Sequence, residues 1–258
     1  MSRVPLLCAE GVAKSFGARV ACRDVGFELH AGEILGVVGE SGSGKTTLLR
    51  CLAGQLTPDA GRVAYADRSG ALRDVFAMSE AERRRLARTE WGFVHQNPRD
   101  GLRMGISAGA NVGERLMAVG WRHYGAIRAS ALAWLANVEI AADRIDDLPA
   151  GFSGGMQQRL QIARNLVSEP RLVYMDEPTG GLDVSVQARL LDLLRRLVQR
   201  LQLASVVVTH DLGVVRMLCD RLMVMQAGEV VEEGLTDQVL DDPQHAYTQL
   251  LVSSILPA

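Results

Sequence analysis

Apolar positions along this chain change period several times, and the changes mark out its elements. An early section, about Leu6 to Leu29, is rich in β-forming residues. Glu33-Ile34-Leu35-Gly36-Val37-Val38 is a nearly unbroken apolar run of strand length, and Thr47 to Ala53 follows with helical spacing. A turn at Thr57-Pro58-Asp59-Ala60-Gly61 leads into a strand at Arg62 to Tyr65. Ser79-Glu80-Ala81-Glu82 has the form of a capping box and predicts a helix start. The Arg83-Arg84-Arg85 run that follows reads as a solvated face of that helix, with phosphate contact as the alternative. Trp91 to His95 predicts a strand. From about Pro98 to Leu148 the strand signals fade and helical periodicity takes over. Strand signals return at Leu172 to Met175, Ser205 to Val208 and Arg221 to Met225. Between the first two, Leu190, Leu191, Leu194, Leu197, Val198 and Leu201 fall on one side of an amphipathic helix. The order predicts one α/β domain over residues 1–258. Its core and β section take about 1–96 and 169–258, and a helical subdomain is inserted at 97–168. We find neither an internal repeat nor a low-complexity linker.

Composition narrows the class. The chain has 258 residues, 48% hydrophobic and 22% charged, enough to bury a sizeable core. A net charge of −2 gives no bulk attraction to nucleic acid or anionic lipid, so neither is an expected partner. No stretch approaches the ~18 apolar residues of a membrane span. Met1-Ser2-Arg3-Val4-Pro5 starts no signal-peptide pattern. Cys8, Cys22, Cys51 and Cys219 are scattered and read as reduced, buried thiols of a cytoplasmic protein. The five histidines are dispersed as well.

Gly39-Glu40-Ser41-Gly42-Ser43-Gly44-Lys45-Thr46-Thr47 matches the phosphate-binding P-loop pattern, between a strand and a helix as that chemistry requires. Glycines let the backbone curl so that successive N–H groups point at phosphates. Lys45 sets a point charge on the β/γ-phosphates, the Thr46 hydroxyl can ligate Mg²⁺, and the following helix adds its positive dipole end. Leu172-Val173-Tyr174-Met175-Asp176-Glu177 is an apolar strand ending in acids, a Walker B pattern. It delivers Asp176 to the same Mg²⁺ and puts Glu177 where a carboxylate can polarise attacking water. Ser153-Gly154-Gly155 lies directly before a helix running to about Val167. It can serve as a second anion cradle, or as a simple N-cap with flexible glycines.

Taken in order, the P-loop, Gln96, Ser153-Gly154-Gly155, Asp176-Glu177, Gly180-Gly181-Leu182-Asp183 and His210 resemble the motifs of the ATP-binding-cassette family. The resemblance implies a P-loop NTPase fold with an N-terminal antiparallel β section and an inserted helical signature subdomain. It implies ATP and Mg²⁺ as ligands and ATP hydrolysis as the activity. Phe16 resembles the aromatic that stacks on adenine, usually tyrosine; phenylalanine keeps the π-face. Gln96 resembles the Q-loop glutamine, which touches Mg²⁺ and senses the partner subunit. Ser153, Gly154 and Gly155 resemble the signature loop that clasps the γ-phosphate of ATP on the other subunit. Asp183 resembles the D-loop aspartate and His210 the switch histidine, which with Glu177 makes up the catalytic pair. Phe152 and Met156 depart from the usual Leu and Gln of the signature, so Met156 is not expected to touch nucleotide. One P-loop and one signature loop per chain imply a head-to-tail dimer, with itself or with a second cassette.

A narrower resemblance runs over nearly the whole chain. Met78 to Leu86, Arg88 to Gly92, Arg122-His123-Tyr124-Gly125, Arg144 to Pro149, Asp183 to Leu194 and Tyr247 to Ser254 are similar to the K subunits of the bacterial phosphonate carbon–phosphorus lyase system. That resemblance implies docking on the soluble lyase core alongside a second cassette ATPase, the L subunit. The alternative is the nucleotide-binding subunit of a peptide- or nickel-type importer. A DNA-repair or translation cassette would need a long coiled-coil insertion or tandem cassettes, and neither is present. Trp121, Arg122, His123 and Tyr124 read as packing of the helical subdomain or as a partner contact.

Overall fold

A computed structural model describes residues 4–255. In chain order its strands and helices are β1 (Leu7–Phe16), β2 (Arg19–Leu29), β3 (Ile34–Val38), α1 (Lys45–Leu52), β4 (Ala60–Ala66), β5 (Leu72–Asp74), α2 (Glu80–Thr89), β6 (Trp91–Val94), α3 (Pro98–Gly101), α4 (Ala108–Ala118), α5 (Tyr124–Asn137), α6 (Gly154–Leu166), β7 (Leu172–Asp176), α7 (Val184–Leu201), β8 (Ala204–Val208), α8 (Leu212–Leu218), β9 (Arg221–Gln226), β10 (Glu229–Leu235), α9 (Thr236–Asp241) and α10 (Ala246–Ile255). The chain divides into two compact units. The first runs up to Arg83 and resumes at Gln202; the second is Arg84–Leu201.

The first unit holds an antiparallel sheet in the order β2-β1-β4-β5, with Leu7 opposite Leu29 on one side and Tyr65 on the other. It is the N-terminal β section that the sequence suggests. In the same unit β3 lies between β8 and β9, parallel to both, and β10 pairs antiparallel with β9. Every residue of β3 and of β8 is buried. Parallel strands covered on both faces select continuous runs such as Ile34-Leu35-Gly36-Val37-Val38 over alternation. At the margin, β10 carries Glu229, Glu232 and Glu233, charges that discourage a further strand from pairing there.

The second unit pairs β6 with β7 in parallel, Trp91 opposite Leu172 and Val94 opposite Met175. Trp91 and Tyr174 meet edge to face at 5.9 Å. The helical segment opens its helices with polar caps. Ser107 Oγ accepts from Ala110 N, His123 Nδ1 from Ala126 N and Ser153 Oγ from Met156 N. Helix α7 buries Leu190, Leu191, Leu193, Leu194, Leu197 and Val198. Leu201, expected on that stripe, is only half-buried at the helix end, and Leu193 takes a place in it. Glu139, at φ 58 just past α5, forks its carboxylate between Arg159 of α6 (2.8 Å) and Arg196 of α7 (3.0 Å). Arg115 is buried and donates to the carbonyls of Ala87 and Trp91. Burial lowers its pKa to about 10.

The capping box forms as its spelling requires. The Glu82 carboxylate accepts from Ser79 N at 2.9 Å, and Ser79 Oγ accepts from Glu82 N at 3.3 Å. The Arg73 guanidinium, followed by the Ser79 N–H and hydroxyl, holds the Glu82 carboxyl down to about 2 from an ordinary 4.5. A folded-state pKa below the unfolded one gives stabilisation that is complete above about pH 4.5 and lost as pH falls toward 2. Amide exchange over residues 79–83 should therefore accelerate across that window. In Glu82→Gln, which has no proton to take up, the acid step should vanish.

Candidate functional site

In the first unit the P-loop joins β3 to α1. Gly39 has φ 148 and Gly44 φ 105, conformations that L side chains rarely adopt. Space excludes a side chain as firmly: a Cβ on Gly39 would lie 2.1 Å from the Met225 carbonyl oxygen, and one on Gly44 1.7 Å from that of Ala21. Gly44 is also the N-cap of α1, and it brings no side chain to compete for the helix's N–H groups. Lys45 begins the helix, two residues earlier than the apolar spacing suggests. Its ammonium is buried and donates to the carbonyls of Gly39 (2.7 Å) and Glu40 (2.8 Å). The loop is thus curled around its own lysine, with N–H groups and a charge of the kind that bind phosphate.

Two more of the expected residues belong to this unit. Phe16 ends β1 with its ring 53% exposed, and the Lys14 ammonium lies 5.8 Å from the ring centroid. Lys14 is itself paired with Asp59 at 2.6 Å, so the ring keeps an open face for stacking. His210 is placed by sheet register. Val208 pairs with Val37, and Thr209 N donates to the Val37 carbonyl, so His210 leaves β8 level with the end of β3 where the P-loop starts. Asp211 then caps α8 through Gly213 N at 2.8 Å.

The second unit carries the remaining candidates. Strand β7 delivers a buried Asp176, and Glu177 follows at φ 45, left-handed without being glycine. Backbone strain of that kind is held by its surroundings: Gly180 N donates to the Glu177 carbonyl at 2.9 Å. A Cβ on Gly180 would lie 3.4 Å from Glu177 Cβ and 3.5 Å from Gln96 Cγ, so Gln96 and Glu177 flank the same glycine. Ser153 caps α6 and stays exposed beside Gly154, which satisfies the N-cap reading without removing the anion-cradle one. A Cβ on Gly155 would meet Val186 of α7 at 2.6 Å. Asp183 turns its carboxylate onto Val186 N (3.0 Å) and Ser185 Oγ (2.8 Å), capping α7, and these bonds hold it below the usual carboxylate range.

Sequence reasoning missed the residues that tie these segments together. Gln161 Oε1 accepts from His95 N at 2.7 Å, and its Nε2 donates to His95 O at 3.1 Å. Gln158 donates to the same carbonyl, and Asn165 Oδ1 accepts from Phe93 N at 3.0 Å. Side chains of α6 thereby pair the backbone of β6 up to the residue before Gln96. The signal is a run of polar residues at helical spacing, Gln157, Gln158, Gln161 and Asn165, all buried. Gln161→Leu should strand the His95 N–H, at a cost of about 1–3 kcal/mol. A urea midpoint unchanged from wild type would show that this clamp contributes nothing.

Thr46 Oγ1, the Asp176 carboxylate and the Gln96 amide oxygen are all hard oxygen donors. Each is of the kind that Mg²⁺ takes, Thr46 in the first unit and Asp176 and Gln96 in the second. Among the described residues no helix is long and apolar enough to cross a membrane.

Three comparisons bear on the site. The family described as ABC transporter matches residues 22–180. The chain is 66% identical to the phosphonates utilization ATP-binding protein PhnK of Escherichia coli (strain K12), over 98% of each chain. It is 38% identical to a peptide import ATP-binding protein of Brucella ovis, over 99% of this chain and 80% of that one. Among solved structures it is similar to the ATP-binding cassette MJ0796, a dimer in a post-hydrolysis state bound to ADP and Pi. That match has a TM-score of 0.79 and 30% identity, over 89% of this chain and 98% of that one.

Proposed function

The chain belongs to the ABC transporter family, and we propose that it is the ATP-hydrolysing cassette subunit that binds and remodels a soluble carbon–phosphorus lyase complex in phosphonate utilization. The observation that carries the ATPase reading is the P-loop curled around a buried Lys45. The phosphonate reading is supported by 66% identity over 98% of the chain to a protein named for that process.

The chemistry follows from the residues. N–H groups of Gly42 to Thr46 and the α1 N-terminus bind the phosphates, while Lys45 exchanges a loop carbonyl for the β/γ oxygens. Phe16 stacks on the base. Thr46, Asp176 and Gln96 would hold Mg²⁺, which would supply positive charge to neutralise the phosphates. Glu177 orients the attacking water, and His210 holds the γ-phosphate geometry. Ser153, Gly154 and Gly155 act on the nucleotide of a second cassette, either another copy or the L subunit, with Asp183 at the same boundary. The dimeric MJ0796 cassette supports a working pair. Release of phosphate removes the anion between the halves, and the opening motion passes outward through the Gln96 segment.

The site assignment has a direct test. Lys45→Ala should weaken ATP binding at least tenfold, since a charge-assisted hydrogen bond from the ammonium to phosphate is worth about 1.5–3 kcal/mol. Ser153→Arg should block turnover yet leave ATP binding by the free chain nearly intact. Mixing the two variants should restore about one competent site per mixed dimer. Unchanged ATP affinity of Lys45→Ala in calorimetry would move the site elsewhere. Mixed dimers that form and regain nothing would mean that the sites are not shared, or that both must fire together.

The 38% identity to peptide import proteins favours a second reading, the nucleotide-binding subunit of a peptide- or nickel-type importer. The two readings part on the partner. Glu177→Gln should keep ATP and slow hydrolysis, so the closed pair accumulates. In the presence of ATP and Mg²⁺ it should then co-elute with purified lyase core. Co-elution with detergent-solubilised permease, and none with the lyase core, would favour import instead.

A further inference from the structure

The P-loop has a contact that neither its motif nor its chemistry calls for. The Glu40 backbone N–H donates to the phenol oxygen of Tyr247 at 3.0 Å, across 207 residues of sequence. Tyr247 is buried and lies in the first turn of α10. Its helix is not a loose tail. The Glu232 carboxylate on β10 accepts from Gln244 N (2.8 Å) and His245 N (3.0 Å), and His245 Nδ1 accepts from Tyr247 N (3.2 Å). All of these residues belong to the first unit.

The bond matters because of which peptide it holds. The Glu40 N–H and the Gly39 C=O are the two ends of one planar, trans group. The carbonyl end accepts from the Lys45 ammonium at 2.7 Å. The amide end is the one held by Tyr247. The peptide follows Gly39 at φ 148, and a glycine resists rotation of the next peptide less than any other residue. Fixing the amide end therefore fixes where the carbonyl points, and with it where the ammonium rests before phosphate arrives.

We infer that Tyr247 is a positioning residue of the nucleotide site: its phenol oxygen orients the Gly39–Glu40 peptide and so pre-aims Lys45, making α10 part of the ATP-binding apparatus. It acts through the loop and touches no nucleotide. The inference rests on the reading of residues 39–47 as the nucleotide loop. A pre-aimed loop spends less binding energy on ordering, so the loss should fall on ATP affinity rather than on the chemical step.

Tyr247→Phe removes one oxygen and leaves the ring. The expected result with ATP and Mg²⁺ on the full-length protein is a rise in Kd and KM of about fivefold, the scale of one neutral hydrogen bond. The kcat should stay within about twofold. Amide exchange at Glu40 should become faster in the nucleotide-free protein. Leu251→Ala, at a half-buried position on the same helix, serves as the control for stability. It should lower the melting temperature at least as much as Tyr247→Phe and leave KM for ATP at the wild-type value. Wild-type Kd and Glu40 exchange in Tyr247→Phe would overturn the inference, and so would an equal rise in KM from Leu251→Ala. Failure of the nucleotide-loop reading is a separate outcome, seen as wild-type ATP affinity in Lys45→Ala.

Discussion

The carbonyl oxygens of Ala21 and Met225 occupy the space that side chains on Gly44 and Gly39 would need, at 1.7 and 2.1 Å from the positions of the missing Cβ atoms. That close approach is a constraint on the whole first unit. Ala21 belongs to β2 of the antiparallel sheet and Met225 to β9, which pairs with β3 through Val38 and Val224. The loop can curl only because both sheets present carbonyls to it and it answers with hydrogen atoms. Once curled, it sets two carbonyl oxygens on the Lys45 ammonium, and these hydrogen bonds offset part of the cost of burying that charge.

The two helix starts proposed to face phosphates are capped differently. Helix α1 begins at a glycine with no capping side chain, so its dipole end is given over to the loop. Helix α6 begins at Ser153, whose Oγ accepts from Met156 N at 3.3 Å and whose hydroxyl proton is still there to give. The first arrangement suits a permanent phosphate cradle. The second suits a surface that is stable alone and adds a donor when a phosphate of another subunit comes up to it. The departure of Phe152 from the usual Leu fits this view. It is buried beneath the Arg144 guanidinium, 4.8 Å from its ring centroid, and supports the loop from behind.

Local pattern makes the P-loop, β7, the capping box and the α7 stripe legible, because each is written in consecutive residues or in one helical period. It fails where a residue's role depends on a distant backbone. Gln158, Gln161 and Asn165 carry no local signal of burial, yet they are buried because β6 and His95 leave N–H and C=O groups that need partners and α6 supplies them. Strand β10 and helices α9 and α10 give weak signals: β10 is half-exposed and studded with glutamates, and α9 is short. Tyr247 stands out in the sequence only through the tail resemblance, and the fold alone brings its hydroxyl to Glu40. Asp183 is legible through the family motif, and the structure adds that the same carboxylate caps α7.

The second unit has few places at which to bend. From Ser153 to Gln161 runs just over two turns of uninterrupted helix, about 12 Å at 1.5 Å per residue. At its far end the Gln161 amide grips both polar groups of His95, one residue before Gln96. At its near end Gly155 packs against Val186 of the α7 first turn, which Asp183 caps. Part-way along, Arg159 reaches Glu139, which also holds Arg196 of α7. Under the proposed pairing, a displacement of Ser153 by the phosphate of another subunit would be carried along α6 to the part-buried Gln161–His95 bonds and, through Gly155 and Val186, to the start of α7. Gln96 flanks the same glycine as Glu177, so the helix proposed to recognise the partner's nucleotide is wired to the carboxylate proposed to activate water for this one. If the chain works as the proposed pair, nucleotide binding at one site and at its neighbour would be coupled by the same free energy in both directions.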